Sequence, residues 1–98
     1  MPDIFPPNAV KYSESPVFTQ DTLPDALRRD HQTKASVWGR IMVHEGSLLY
    51  LRKGKPAQTV TAAEPATIWP EEPHSVTPQG IVSFRVEFYR IPDQETDR

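Results

Sequence analysis

The sequence predicts an all-β protein built as one domain, and three observations support this prediction. Eleven prolines against four glycines divide the 98 residues into short pieces, and proline breaks helix interiors. Runs rich in β-branched and aromatic residues recur about every 8 to 12 residues, with turn residues between them. Several of these runs alternate apolar and polar side chains, as strands with one buried face do. We therefore expect an antiparallel sandwich or barrel.

The pattern divides the chain into three parts. Residues 1–14 are rich in proline and lack periodicity, so we expect a short irregular N-terminal arm. Residues 15–91 carry the strand-like runs and form the predicted β-barrel domain. Residues 92–98 are polar and are expected to be a frayed C-terminal tail.

The predicted elements follow one another in a simple order. A first strand over residues 16–20 precedes one helical turn after Pro24, with Thr22 as a candidate cap. The stretch "ASVWGRIMV" alternates as a strand, and "HEGS" is a turn in which Gly46 can take a positive φ before the return strand of a hairpin. Further strands are expected in "AQTVTA", "ATIW" and "IVSFRVEFYRI".

The last strand has two contrasting faces. Its apolar side chains are Val82, Phe84, Val86 and Phe88, and the other face carries Ser83, Arg85, Glu87 and Tyr89. The second face meets solvent in an ordinary half-buried sheet, or lines a ligand cavity in a small barrel. If the apolar face lies outside the barrel instead, it is too apolar to remain exposed to solvent, and it favours a homodimer in which a second copy covers it.

Charge and hydropathy exclude nucleic acid and membrane as partners. The net charge is −2, and the eleven Lys and Arg are spread along the chain, so no basic stripe faces a phosphate backbone. No run of about 18 apolar residues occurs, and the N-terminus lacks the regions of a signal peptide. We therefore expect a cytoplasmic protein.

The absence of cysteine limits the chemistry. It excludes disulfides, thiolate metal sites and a cysteine nucleophile. The sequence also has no serine-nucleophile motif and no glycine-rich phosphate loop. Any bound metal would have to be held by histidine and carboxylate side chains.

Two stretches resemble the two halves of a small cupin, a double-stranded jelly-roll barrel. The first is "DHQTKASVWGRIMVHEGSLLYL", with a histidine before a strand and a Glu-Gly turn after it. The second is "AAEPATIWPEEPHSV", in which a proline-rich bend presents a histidine. The combined run from Leu23 to Arg90, including "VEFYR", is similar to the small cupin-like family associated with tellurite-resistance protein B, whose members occur alone or fused before a methyltransferase domain.

This resemblance implies a metal site. The cupin pattern of H-x-H followed by glutamate is absent, because Gln32, Thr33 and Lys34 follow His31. By position the resemblance leaves His31, His74 and Glu87 as metal ligands. Two imidazoles and one carboxylate would form a facial triad for a divalent metal, Zn or Fe. Pro70 and Pro73 would hold His74 in place.

Each residue also has a plainer interpretation. A single histidine in a polar stretch is usually a surface residue, and Glu87 could pair with Arg85 or Arg52 across the sheet. Further residues could line a pocket: Lys34, Trp38, Arg40, His44 and Glu72. Each of three also has a competing explanation: Lys34 could simply be exposed, Trp38 could lie in the core, and His44 could be a hairpin residue.

Three hypotheses for function follow. The first is a metal-dependent small-molecule enzyme or a detoxification protein for tellurite or oxyanion stress. The second is a non-catalytic module that senses or sequesters a metal or a small effector. The third is a structural dimerisation domain without metal. The expected partners are a small-molecule or oxyanion ligand and a second copy of the chain, and whether the protein is an enzyme is left open.

Overall fold

The computed structural model describes residues 5–29 and 31–91, which contain eight strands and one 3₁₀ turn at Asp25–Arg28. The strands are β1 Val10–Glu14, β2 Phe18–Thr19, β3 Trp38–Glu45, β4 Leu48–Arg52, β5 Gln58–Val60, β6 Ala66–Ile68, β7 His74–Pro78 and β8 Ser83–Arg90. The predicted all-β class is confirmed. The predicted polar tail over residues 92–98 and the first four residues of the predicted arm lie outside the described residues.

The strands form two antiparallel sheets. In the first sheet the order is β1-β8-β3-β6, and β2 also pairs with β8. The second sheet has the order β5-β4-β7. Among the described strands these sheets remain separate, so the expected closed barrel is not formed.

The turn at Gly46 does not make the hairpin that the sequence predicted. β3 pairs with β6 and β8, whereas β4 pairs with β5 and β7, so this turn carries the chain from one sheet to the other. Gly46 does have the expected positive φ, at 80°. A Cβ at this position would lie 2.1 Å from the carbonyl oxygen of Ile81, so the crossing also needs the absence of a side chain.

The core lies between the two sheets. From the first sheet, alternate residues of β3 and β8 point inward, among them Ile41 and Phe84. From the second sheet, Leu48, Tyr50 and Val76 meet them. The apolar face of β8 is therefore inside the molecule, and the argument for a dimer through that face loses its basis.

Two strands were not predicted. β1 lies within the segment expected to be irregular, and all five of its residues are exposed, so no buried face produces an apolar alternation. β7 begins at His74, directly after the expected proline-rich bend, and no strand was expected there. Proline is tolerated immediately before a strand because its missing N–H is not needed there.

The predicted helical turn is present, but its cap is not the expected one. Pro24 occupies the N-cap position, and no side chain caps the turn. The Thr22 hydroxyl instead accepts a hydrogen bond from the backbone N–H of Thr19 at 2.8 Å. No helix in the described part of the chain is long and apolar enough to cross a membrane.

Candidate functional site

His74 is the first residue of β7 and lies in the protein interior with 3% of its surface exposed. The expected proline-rich bend lies just before it, where Glu71 has a positive φ of 63° and the chain turns between β6 and β7. The ring Nδ1 of His74 lies 3.0 Å from the carbonyl oxygen of Glu72. Because a carbonyl only accepts, Nδ1 carries the proton, and Nε2 keeps its lone pair. Burial lowers the pKa of His74 below its ordinary value of 6.5, against the opposing effect of the Glu72 hydrogen bond.

His31 lies beside His74. Their backbones exchange two hydrogen bonds of 2.8 Å, and their rings meet edge to face with centroids 5.6 Å apart. Tyr50 approaches His74 from the other side, at a centroid distance of 5.8 Å. The structure thus brings the two predicted histidines together through a short bridge between the His31 segment and β7.

Glu87 is on the other face of the first sheet. Val86 and Phe88 point toward the histidines, so the pleat of β8 directs Glu87 away from them. Its carboxylate accepts hydrogen bonds from Tyr89 at 2.7 Å and Arg85 at 2.5 Å. Burial by itself raises the pKa of Glu87, but the bonds from Tyr89 and Arg85, with the charge of Lys11, lower it overall.

The predicted triad is consequently not assembled. Within residues 5–29 and 31–91, no group of three or more histidine, aspartate or glutamate side chains is arranged to hold a metal ion. The physical reason is that successive side chains of a strand point to opposite faces of the sheet. Glu87 is therefore separated from the two histidines by the thickness of the sheet.

The further pocket candidates lie in different places. Glu72 forms a two-bonded ion pair with Arg52, at 2.7 and 3.1 Å. The guanidinium of Arg40 lies over the ring of Phe5 at 4.3 Å. The ring of Trp38 packs against Trp69, with centroids 4.8 Å apart.

His44 and Lys34 are exposed. The Nε2 of His44 accepts a hydrogen bond from Arg85 at 3.1 Å. Lys34 lines an open groove that also contains His31.

A cavity of about 240 Å³, named here the apolar pocket, opens between the first sheet, the 3₁₀ turn and the two histidines. Its apolar walls are formed mainly by Phe18, Leu27, Ile68, Val86 and Phe88. Sequence reasoning did not identify this pocket. The alternation of β8 indicated that Val86 and Phe88 share a face. It could not indicate that the segment with Phe18 and Leu27 packs against this face, because that depends on the tertiary fold.

A second space of about 290 Å³, named here the basic groove, adjoins the pocket. His31, Thr33 and Phe88 line both spaces. The groove also contains Lys34 and Arg90, and none of its described lining residues is acidic. The site thus consists of an apolar interior space next to a surface space with positive charge.

Fold and site together define a two-sheet all-β domain with an apolar pocket beside two histidines. Residues 13–86 match the family model of the TehB-like domain. The chain belongs to this family, and the expected association with tellurite-resistance protein B is confirmed.

A curated protein of Haemophilus influenzae is similar over a short stretch. It is the probable S-adenosyl-L-methionine-dependent methyltransferase TehB, 38% identical over 39 residues, which are 40% of this chain and 14% of that protein. This chain therefore spans only a small part of the relative it matches.

Two solved structures share the fold. The crystal structure of TehB from H. influenzae superposes with a TM-score of 0.79 at 24% identity, over 87% of this chain and 32% of that chain. A structural-genomics protein from E. coli strain K12 superposes with a TM-score of 0.82 at 21% identity, over 91% of this chain and 97% of that chain.

These comparisons correct the sequence-based function. The expected metal-binding cupin, with Zn or Fe held by His31, His74 and Glu87, is wrong, because the curated relative is a probable S-adenosyl-L-methionine-dependent methyltransferase and the described residues form no metal cluster. The two alternatives, a sensing or sequestration module and a metal-free dimerisation domain, gain no support either.

Proposed function

We propose that this chain serves S-adenosylmethionine-dependent methyl transfer as the β domain that works beside a methyltransferase domain. The observation that carries the proposal is the family match over residues 13–86, combined with the similarity to the H. influenzae methyltransferase. The tellurite association of the family suggests tellurite as the substance whose methylation this pairing assists.

The apolar pocket does not fit S-adenosylmethionine itself. This cofactor carries a charged amino-acid group and ribose hydroxyls, which need charged or polar partners when they are buried. None of the described residues lining the apolar pocket is acidic, and its volume of about 240 Å³ is below the roughly 300 Å³ at which drug-sized ligand sites begin. The proposal therefore assigns the cofactor to the methyltransferase domain and an assisting role to this chain.

An exchange of segments tests the proposal. The part of H. influenzae TehB that matches this fold is deleted in one variant and replaced by this chain in a second. With tellurite as acceptor, formation of S-adenosylhomocysteine is expected to fall in the deletion variant and to recover in the exchange variant. Titration of S-adenosylmethionine into this chain alone is expected to give no binding.

Two results would contradict the assisting role. In the first, the deletion variant is as active as intact TehB. In the second, the exchange variant is folded by circular dichroism but is no more active than the deletion variant.

We also propose the finer fold assignment, a cupin-type double-stranded jelly roll. The strand orders β1-β8-β3-β6 and β5-β4-β7 support it, since early and late strands alternate across two facing sheets. The predicted domain limits at residues 15 and 91, the cytoplasmic location and the homodimer remain predictions. Sedimentation equilibrium of the whole chain tests the dimer.

A further inference from the structure

We propose that the apolar pocket and the basic groove together bind one small amphipathic carboxylate, with its apolar body in the pocket and its carboxylate in the groove. The inference goes beyond the proposed function and does not depend on it. It rests on the polarity of the two spaces, their shared walls and the charges at the groove.

The interior of the pocket offers little to an ion. The Ser15 hydroxyl donates to the carbonyl of Pro16 at 2.8 Å and accepts from the N–H of Val86 at 3.0 Å. The Thr33 hydroxyl donates to the carbonyl of Val37 at 2.9 Å. Both hydroxyls are therefore used within the protein, and burying an ion here without a partner would cost several kcal/mol.

His74 does not change this conclusion. Burial lowers its pKa below 6.5, so the ring is neutral at pH 7 and adds no positive charge to the pocket. The part of a ligand that enters the pocket should therefore be uncharged and mostly apolar.

The basic groove has the opposite character. Lys34 and Arg90 line it, and neither forms an ion pair with a carboxylate among the described residues. The guanidinium of Arg90 lies over the ring of Tyr12 at 4.2 Å, which holds it on the groove side. Two cations with no acidic partner among the described residues are complementary to a single anionic group.

The two spaces are close enough for one molecule. His31, Thr33 and Phe88 form a common wall, and His31 and Phe88 are only partly buried, so both rings can adjust around a ligand. An inorganic oxyanion would occupy the groove alone, and a neutral apolar molecule would occupy the pocket alone. Only an amphipathic anion uses both.

Calorimetric titration of the intact chain tests this inference. The probes are acetate, butyrate, hexanoate, octanoate and decanoate, with hexan-1-ol as the uncharged counterpart of hexanoate. Affinity is expected to rise with chain length, by about fourfold at most for each added methylene, until the pocket is full. Hexan-1-ol is expected to bind about two- to fivefold more weakly than hexanoate, and high salt should reduce this difference.

Substitutions at the surface separate the two spaces without threatening the core. Lys34→Gln and Arg90→Gln should each weaken hexanoate about two- to fivefold and leave hexan-1-ol unchanged. Lys53→Gln, at an exposed lysine outside both spaces, is the control and should change neither probe. Ala26→Phe, at an exposed position on the pocket wall, should shift the best probe to a shorter chain.

Several results would overturn the inference. Equal affinity for acetate and hexanoate would mean that the pocket is not used. Equal affinity for hexanoate and hexan-1-ol, or no effect of Lys34→Gln and Arg90→Gln, would mean that the groove is not used. Saturable binding by none of the probes would mean that the two spaces do not form a site for this class of ligand.

Discussion

The imidazole of His74 is held in one tautomer by the carbonyl of Glu72 and is buried between Tyr50 and His31. A buried neutral histidine links folding to pH. Because its pKa in the folded state lies below the ordinary 6.5, the unfolded chain binds the proton more tightly. Protonation therefore favours unfolding, and the contribution of His74 is complete above pH 6.5 and is lost as the pH falls through the folded-state pKa.

We predict that the free energy of unfolding falls as the pH drops below about 6.5 and that His74→Asn reduces this slope. The asparagine amide can donate to the Glu72 carbonyl, as Nδ1 does, but it does not titrate. Urea denaturation at several pH values measures both slopes. Because the two proteins differ only at residue 74, equal slopes would exclude His74 as the cause.

Glu87 is a structural residue of the outer sheet face. Because Glu87 is only 7% exposed, removing its carboxylate takes the acceptor from the partly buried Tyr89 hydroxyl and leaves Arg85 with only its contacts to Glu14 and His44. We predict that Glu87→Ala lowers the free energy of unfolding by about 1–3 kcal/mol.

Glu14→Ala is the matched control for this prediction. Glu14 pairs with Lys11 and Arg85, but its side chain is 46% exposed, so its loss should cost clearly less than the loss of Glu87. Chemical denaturation of both variants compares them. Equal losses would show that burial of Glu87 does not strengthen its hydrogen bonds.

At the scale of elements, the turn between β3 and β4 is the point where the chain changes sheets. Gly46 has a φ of 80°, and a Cβ added at this position would lie 2.1 Å from the carbonyl oxygen of Ile81. The turn residues "HEGS" indicated the positive φ. They did not indicate that Ile81, far along the chain, would pack against this glycine.

We predict that Gly46→Ala destabilises the protein considerably more than Gly54→Ala. Gly54 also has a positive φ, of 77°, but nothing lies within 4 Å of the place where a Cβ would be. Gly54→Ala should therefore lower the free energy of unfolding only by the roughly 1–2 kcal/mol that a left-handed backbone costs a residue with a side chain. Thermal denaturation measures both variants. Similar losses would mean that the Ile81 backbone moves aside easily.

Strand prediction succeeded where burial produces alternation and failed elsewhere. β3 and β8 were found because alternate residues such as Ile41 and Phe84 are in the core. β1 is exposed throughout, and β7 follows Pro73, so neither gives the usual signal. The pairing of β3 with β8 rather than β4 is a long-range choice, which local turn residues do not determine.

At the scale of the molecule, stability depends on one core between the two sheets. Phe84 is fully buried at its centre and contacts Phe18 with ring centroids 5.7 Å apart. We predict that Phe84→Ala lowers the free energy of unfolding by about 3–5 kcal/mol. Since domains of this size have about 5–15 kcal/mol in total, this variant should be near the limit of folding.

Ile81→Ala is the control for the core prediction. Ile81 precedes β8 and its side chain is 75% exposed, so the change should be within about 0.5 kcal/mol. Urea denaturation followed by tryptophan fluorescence measures both variants. A large loss for Ile81→Ala would indicate that this exposed residue packs against a second molecule.

The sequence by itself determined the all-β class, the apolar face of β8 and the association with the tellurite-resistance family. Proline spacing, alternation and motif runs are local properties, and they can be seen without knowing where the chain returns. Only the tertiary structure decided that Glu87 faces away from His31 and His74, and that Leu27 and Phe18 close an apolar pocket beside them. The physical reason is that a site depends on sheet faces and strand order, and a shift of one residue along a strand moves a side chain to the opposite face.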